Sequence, residues 1–209
     1  MAEPGAHVAR EPLAAYLAAT VLDGQPPEVQ RFLLATSVLD SFTPELAQVV
    51  SGEQDARSII ARLLAEHHFT VPLEEGGRYR YLHLVAAFLR RRLERTDPEH
   101  LAELHRRAGA ALVACGEPAE ATGHYLAAGR AEEAADALEQ IAEEMAGSAR
   151  AQMLVVWLDE IPRELWWARP GLVLAHASLL FGEGRYEEAW EALEKALEKI
   201  GRASCRERV

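Results

Sequence analysis

The pattern of apolar residues changes once along this 209-residue chain, in the segment 69–83, whose sequence is FTVPLEEGGRYRYLH. Apolar side chains alternate with other residues before residues 74–77 (EEGG), which supply a turn, and tyrosines alternate with arginines after them. Alternation on both sides of a glycine-containing turn predicts a β-hairpin whose second strand extends to His83. Because proline cannot donate a ladder hydrogen bond, Pro72 places the first strand at a sheet edge.

Helical spacing of apolar residues precedes and follows the hairpin. Four helices are predicted before it. The first ends at Asp23-Gly24, and the next three begin at Pro26-Pro27, at Thr43-Pro44-Glu45 and at Asp55. The fourth ends near His67 and His68, and a further helix begins directly after the hairpin with Leu84, Phe88, Leu89 and Leu93 on one face. Helices followed by a hairpin predict a winged-helix domain, at residues 10–96, after a loose N-terminus at residues 1–9.

Every pattern after Pro98 is helical, so the fold class is mainly α with one hairpin. A phrase recurs as GEPAEA at 116–121, GRAEEA at 129–134 and GRYEEA at 184–189, which indicates a reused device for starting helices. Its copies have no fixed period. We expect a helical arm at residues 97–148 and the start of a tetratricopeptide-like sensor domain, an α-superhelix, at residues 149–200.

The last copy of the phrase matches a tetratricopeptide unit. The matching positions are Tyr186, Ala189, Leu193 and Ala196 in the second helix and Ala177 and Leu180 in the first. We expect Gly184 to form the tight turn, the alanines to allow close helix approach, and Tyr186 and Leu193 to fill the groove between the helices. A lone unit cannot bury its outer face, so further repeats are expected to follow.

Residues 201–209 (GRASCRERV) are abruptly basic and lack apolar periodicity. One codon choice for them spells GGAAGAGCGTCGTGTAGGGAAAGAGTG, which matches read-through of a common short-read sequencing adaptor. We therefore expect these residues to be an assembly artefact, in which case Cys205 carries no meaning.

Composition and net charge narrow the function and location that we expect. Hydrophobic residues make up 49% and charged residues 26%, a globular mixture, and the net charge of -11 disfavours general binding to nucleic acid or to an anionic membrane. Two distant cysteines, Cys115 and Cys205, fit a reducing cytoplasm rather than a disulfide framework. We expect a cytoplasmic protein without a membrane partner, since the sequence has neither a signal peptide nor an apolar run of about 18 residues.

The sequence lacks the short motifs of self-contained catalysis. It has no phosphate-binding Gly-x-x-x-x-Gly-Lys-Ser/Thr, no Gly-x-Gly-x-x-Gly, no Gly-x-Ser-x-Gly and no His-Glu-x-x-His. We therefore expect no enzyme activity, no catalytic residue and no metal site in this chain.

A basic cluster and a group of tryptophans are the candidate contact surfaces. Arg90 and Arg91 begin the densest basic run, which is either a solvated helix face paired with Glu94 and Glu99 or a docking surface for an acidic partner. The adjacent Trp166 and Trp167 cannot both face one core. They either pack between helices or form a ligand or peptide platform at the concave face of a superhelix.

Three phrases are characteristic in combination: residues 25–40 (QPPEVQRFLLATSVLD), 79–84 (YRYLHL) and 104–108 (LHRRA). In this order they resemble the middle of the large ATP-binding LuxR-type transcription regulators, the family of the maltose-regulon activator, which belong to the STAND class of signalling ATPases. The resemblance covers about residues 10–200.

The resemblance implies a domain order, a cofactor and a set of partners. In that family a P-loop ATPase precedes the winged helix, a helical arm and a tetratricopeptide-like sensor follow, and a DNA-binding helix-turn-helix closes the chain. ATP or ADP is then the cofactor of the full-length protein and not of this segment, and DNA is bound only through the C-terminal domain. The implied partners are the protein's own ATPase domain, further copies of itself, and a small-molecule or protein inducer at the repeats.

The resemblance also singles out one position in the wing. Relatives often carry a histidine near the nucleotide phosphates where this chain has Leu82, with His83 following it. His83 is a nucleotide-sensing candidate if the strand register slips by one residue, which would turn it to the other face. The alternative is a packed residue between the hairpin and the next helix.

These observations favour a regulatory and partner-binding middle segment of an ATP-dependent LuxR-type transcription regulator. The alternative is a stand-alone tetratricopeptide-like adaptor that binds a peptide or protein.

Overall fold

A computed structural model describes residues 18–66, 69–73 and 77–206, with side chains from residue 21 onward except 196 and 198–206. Several predictions lie outside these described residues. They concern the loose start at 1–9, the beginning of the first helix, the histidines at 67–68, the turn residues 74–76, the Ala196 side chain and residues 207–209.

The described residues form helices with one hairpin, and the mainly α fold class is confirmed. A π-helical turn, Ala18–Asp23, comes first. The α-helices up to the hairpin and just after it are α1 (Pro27–Thr36), α2 (Pro44–Ser51), α3 (Ala56–Ala65), α4 (His83–Thr96) and α5 (Pro98–Ala114). Those that follow are α6 (Pro118–Ala127), α7 (Ala131–Glu139), α8 (Ala142–Ala146), α9 (Ala151–Glu160), α10 (Arg163–Trp166), α11 (Pro170–Gly182) and α12 (Tyr186–Arg206).

The predicted caps of α2 and α3 are confirmed. The Thr43 side chain accepts a hydrogen bond from the Leu46 amide at 3.2 Å, and Pro44 opens α2. The Asp55 carboxylate accepts one from the Ser58 amide at 3.4 Å at the start of α3. Each cap satisfies a backbone donor that the first turn of a helix leaves unpaired.

The hairpin pairs β1 (Thr70–Pro72) with β2 (Tyr79–Tyr81) in antiparallel register. β2 is shorter than the alternation predicts, because the chain turns at Leu82 and His83 is already the first residue of α4. On the other side of β2, Phe42 exchanges two backbone hydrogen bonds of 2.8 Å with Tyr79. β1 is therefore the outer strand, and the edge position inferred from Pro72 is confirmed.

The core of the winged helix is aromatic and aliphatic. Phe42 is fully buried, with its ring centroid 6.4 Å from that of Phe32 and 5.2 Å from that of Tyr81. In α4 the buried face carries Val85, Leu89 and Leu93. The prediction that Leu84 belongs to this face is wrong: its side chain is exposed, since the helix begins at His83 and turns that position outward.

The chain divides into two compact units, Met1–Ala111 and Leu112–Val209. The second unit is entirely helical over its described residues. Among the helices of the described residues, none combines the length and apolar character needed to cross a membrane.

The recurring phrase of the second unit ends one helix before it starts the next, which corrects the interpretation as a helix start alone. Gly116, Gly129 and Gly184 each have a φ between 67° and 77°. At the second copy the Arg130 amide donates to the Tyr125 carbonyl and the Gly129 amide to the Leu126 carbonyl, and the same pair of bonds closes the other two helices. This is the Schellman motif, in which glycine adopts the left-handed conformation at little cost.

α11 and α12 form an antiparallel pair joined by the turn at Gly184. Ala177 in α11 and Ala189 in α12 are buried, as close helix approach requires. The prediction that Tyr186 fills the groove between the helices is wrong. Its side chain is 60% exposed and packs edge-on against Phe181, with ring centroids 4.9 Å apart, on the outside of the pair.

Candidate functional site

An open pocket of about 320 Å3 lies where β2 meets α4. Its walls come from the segment after α1, from β2 and from the first half of α4. The residues that line it are Asp40, Arg80, Tyr81, Leu82, His83, Ala86, Ala87 and Arg90.

The end of β2 brings Arg80, Leu82 and His83 together at this pocket. The register pairs Val71 with Arg80 and Thr70 with Tyr81, so the strand has not slipped. Arg80 faces away from the core, whereas Tyr81 is buried. The condition attached to His83, a register slipped by one residue, is therefore not met, and His83 lines the pocket as the first residue of α4. It is exposed there rather than packed.

Arg90 holds the segment after α1 against α4. Its Nε donates to the Ser37 carbonyl, and one Nη donates to the Leu39 carbonyl at 3.2 Å and to Asp40 Oδ1 at 2.8 Å. The side chain is 36% exposed. Arg90 is therefore a structural clamp at the pocket wall as well as a charge that faces the pocket.

His105 of α5 lies near this clamp. Burial and the positive charge of Arg90 lower its pKa below the ordinary histidine value. Both effects favour the neutral imidazole, so His105 adds no second positive charge beside the Arg90 guanidinium.

The charge balance of the pocket favours an anion. Arg80, His83 and Arg90 line it, against one carboxylate, Asp40, among the described lining residues. Arg80 is exposed and makes no ion pair with any residue that the structure describes. Guanidinium groups bind phosphate or carboxylate oxygens in bidentate fashion, so the arrangement can hold an anionic group.

Arg91 lies outside the pocket. It is exposed, like Arg92 and Arg95, and within the described part of the chain these three side chains form no ion pair. The alternative in which the basic cluster pairs with Glu94 and Glu99 does not hold for Arg90, which pairs with Asp40.

The nearby arginines of α5 pair within their own helix. Arg106 and Arg107 both donate to Glu103, and these hydrogen bonds lower the pKa of the Glu103 carboxyl to about 2. Both arginines are therefore ion-paired within α5, although the single Glu103 carboxylate balances only one of their two charges.

The tryptophan pair belongs to the second unit. Trp166 is buried and Trp167 is half-buried, and the two rings stack with centroids 5.4 Å apart. The Arg163 guanidinium lies 4.9 Å from the Trp167 centroid, and the His176 ring lies 5.0 Å from that of Trp166. Trp167 Nε1 and His176 Nδ1 are buried without a hydrogen-bond partner among the described residues. Burial and the Arg163 charge lower the pKa of His176.

Asp40 and Arg80 are pocket residues that the sequence analysis did not identify. Arg80 carried a usable signal, because it alternates with Tyr79 and Tyr81 and therefore shares the outward face with Leu82. Asp40 carried none, since its contact with Arg90 joins residues 50 positions apart. Among the described residues, no group of three or more His, Cys, Asp or Glu side chains converges as metal ligands.

Comparison with known proteins identifies the first unit. The family model of the MalT winged helix domain matches residues 18–101. Serine/threonine-protein kinase PknK of Mycobacterium tuberculosis is 33% identical over 195 residues, which cover 92% of this chain and 17% of that protein.

Two transcription regulators are similar to this chain over nearly the same extent. HTH-type transcriptional regulator MalT of Klebsiella pneumoniae is 31% identical over 189 residues, covering 90% of this chain and 21% of the regulator. MalT of Yersinia enterocolitica is 33% identical over 185 residues, covering 88% and 20%. The chain thus spans about a fifth of the length of these relatives. Residues 18–101 therefore form a winged helix domain of the MalT type, and the chain is similar over most of its length to MalT regulators.

Proposed function

We propose that the chain is the regulatory and partner-binding middle segment of an ATP-dependent LuxR-type transcription regulator. The match of residues 18–101 to the MalT winged helix domain carries this proposal. Nearly the whole chain is similar to proteins named HTH-type transcriptional regulator and to one named serine/threonine-protein kinase. A segment shared by proteins with different named activities supports a regulatory role, distinct from the reaction of either effector.

The proposed whole protein has a P-loop ATPase before this chain and a helix-turn-helix after it. ATP or ADP is bound by the ATPase, DNA by the helix-turn-helix, and this segment contributes no catalytic step. The protein works in the cytoplasm and self-associates in its ATP-bound form. Inducer binding shifts the population toward that form through differential contacts.

In this account the pocket at the end of β2 faces the phosphates of the bound nucleotide. His83 is the proposed sensing residue, and Arg80 and Arg90 supply positive charge in the same pocket. Two guanidinium groups and an imidazole beside a single carboxylate suit an oxyanion better than a neutral ligand.

The proposed inducer site lies in the second unit, at the tetratricopeptide-like repeats. The aromatic cluster of Trp166, Trp167 and His176 supports it, since stacked rings bury apolar area and two ring nitrogens there have no partner among the described residues. A small molecule or peptide with hydrogen-bonding groups fits such surroundings.

A stand-alone adaptor is the second candidate. Phe181, Tyr186 and Trp190 are each at least 60% exposed on the α11–α12 pair. Exposed aromatic side chains that lie close together are typical of protein or peptide contacts. Tight peptide binding by this chain alone would favour the adaptor over the regulator.

The test of the regulator uses the complete protein loaded with ADP and measures the rate of ADP release. We expect His83→Ala to release ADP about tenfold faster, which corresponds to the loss of one hydrogen bond to a charged group. His100→Ala is the matched control, because His100 is exposed on α5 and does not line the pocket. Equal ADP release rates for the two variants would contradict the proposed role of the pocket.

A further inference from the structure

Arg90 makes two kinds of contact that differ in how easily they are replaced. Its bonds to the Ser37 and Leu39 carbonyls fix the backbone after α1 to α4. Its bond to Asp40 reaches a carboxylate whose side chain is 92% exposed. An ion pair with so exposed a partner contributes little stability, so another anion can compete for the guanidinium.

Asp40 lies at the pocket that Arg80 and His83 also line. Arg80 has no ion-pair partner among the described residues, so its guanidinium is available to a ligand. Asp40 is the one carboxylate among the described lining residues, and it occupies part of the hydrogen-bonding capacity of Arg90. An incoming phosphate oxygen would find the same donor geometry on Arg90 that Asp40 uses.

We propose that Asp40 is an internal competitor for a phosphate-bearing anion, which binds Arg80 and takes over the Asp40 bond of Arg90. The two carbonyl bonds of Arg90 persist, so the clamp on the segment after α1 is kept while the ion pair exchanges. This inference rests on the proposed function in that a nucleotide phosphate is the natural ligand of such a site. It adds which residues bind the phosphate and which residue limits its affinity.

The test measures binding of inorganic pyrophosphate to the 209-residue chain by isothermal titration calorimetry at low ionic strength. We expect Asp40→Asn to bind about two- to fivefold more tightly, which is the release of one exposed ion pair. We expect Arg80→Gln to bind about tenfold more weakly, because a charged hydrogen-bond donor is lost. Asp40 and Arg80 are both exposed, and thermal unfolding checks that each variant folds.

Arg91→Gln is the matched control, since Arg91 is exposed on α4 but does not line the pocket. It removes the same charge and is expected to change the affinity less than twofold. Equal losses for Arg80→Gln and Arg91→Gln, unchanged or weaker binding by Asp40→Asn, or no binding of pyrophosphate by any variant would each overturn the inference. Because this assay needs no ATPase domain, its result is independent of the ADP experiment on the complete protein.

Discussion

Tyr81 Oη lies 2.7 Å from Thr36 Oγ1, and both side chains are buried. Thr36 donates its single hydroxyl hydrogen to the Phe32 carbonyl at 2.7 Å, so Tyr81 is the donor to Thr36. Burial raises the pKa of the Tyr81 hydroxyl, which keeps this donor protonated. The two bonds join β2 to α1 and fix the wall of the pocket that Tyr81 lines.

Tyr81→Phe removes the donor to Thr36 and leaves the ring in place. We expect the free energy of unfolding to fall by about 1 kcal/mol, the net value of one buried hydrogen bond. Tyr79→Phe is the control, because Tyr79 is only half-buried. Urea unfolding of both variants measures the difference, and equal losses of stability would show that the Tyr81 bond contributes nothing specific.

Gly129→Ala tests the motif that ends α6. Gly129 has a φ of 67°, where a side chain costs about 1–2 kcal/mol, so we expect a loss of that size in unfolding free energy. Gly123→Ala is the matched control inside α6, where an added methyl group meets no atom within 4 Å. We expect it to raise stability by about 0.5–1 kcal/mol. Shifts of the same sign in the melting temperatures would refute the assignment.

Acid is expected to weaken the second unit through His176. Burial, aided by Arg163, lowers the pKa of His176 in the folded state below the value of about 6.5 that it has when unfolded. The unfolded chain therefore takes up the proton first, and the His176 contribution is present above about pH 6.5 and lost as the pH falls through and below it.

The measurement compares melting temperatures at pH 7.5 and pH 5. His176→Phe keeps an aromatic ring beside Trp166 but cannot be protonated, so its melting temperature should fall less on acidification than that of the parent chain. His100→Phe replaces an exposed histidine and should leave the pH dependence unchanged. An unaltered pH dependence in His176→Phe would contradict the account.

Leu82→His places a histidine at the position of the wing that the family resemblance singles out. Leu82 lines the pocket and is exposed there, so an imidazole at this position faces the proposed nucleotide phosphates. We expect the complete regulator to release ADP about tenfold more slowly, by the gain of one charged hydrogen bond. Leu84→His serves as the control, because Leu84 is also exposed but does not line the pocket. Faster ADP release by Leu82→His would count against the placement of the phosphates.

Local chemistry made much of the fold predictable. Near neighbours in sequence decide the caps at Thr43 and Asp55 and the edge position of Pro72. The residue types alone therefore indicate these features. The end of β2 was less predictable. The alternation of side chains continues through His83, and only the backbone turn at Leu82 shows that the helix has begun.

The pocket was only partly predictable from sequence. The resemblance singled out the positions of Leu82 and His83, while the pairing of Arg90 with Asp40 depends on the folding of α1 against α4. The outward position of Tyr186 has the same kind of cause. Its match to a repeat pattern predicts burial, yet burial depends on the elements that pack around it. The ring lies edge-on against Phe181 and remains 60% exposed.

The most direct test of the central claim is a long-read sequence of the native locus across both ends of this reading frame. We expect an in-frame P-loop ATPase upstream and a helix-turn-helix downstream. Genuine start and stop codons that bound the present chain would contradict the central claim and favour the stand-alone adaptor.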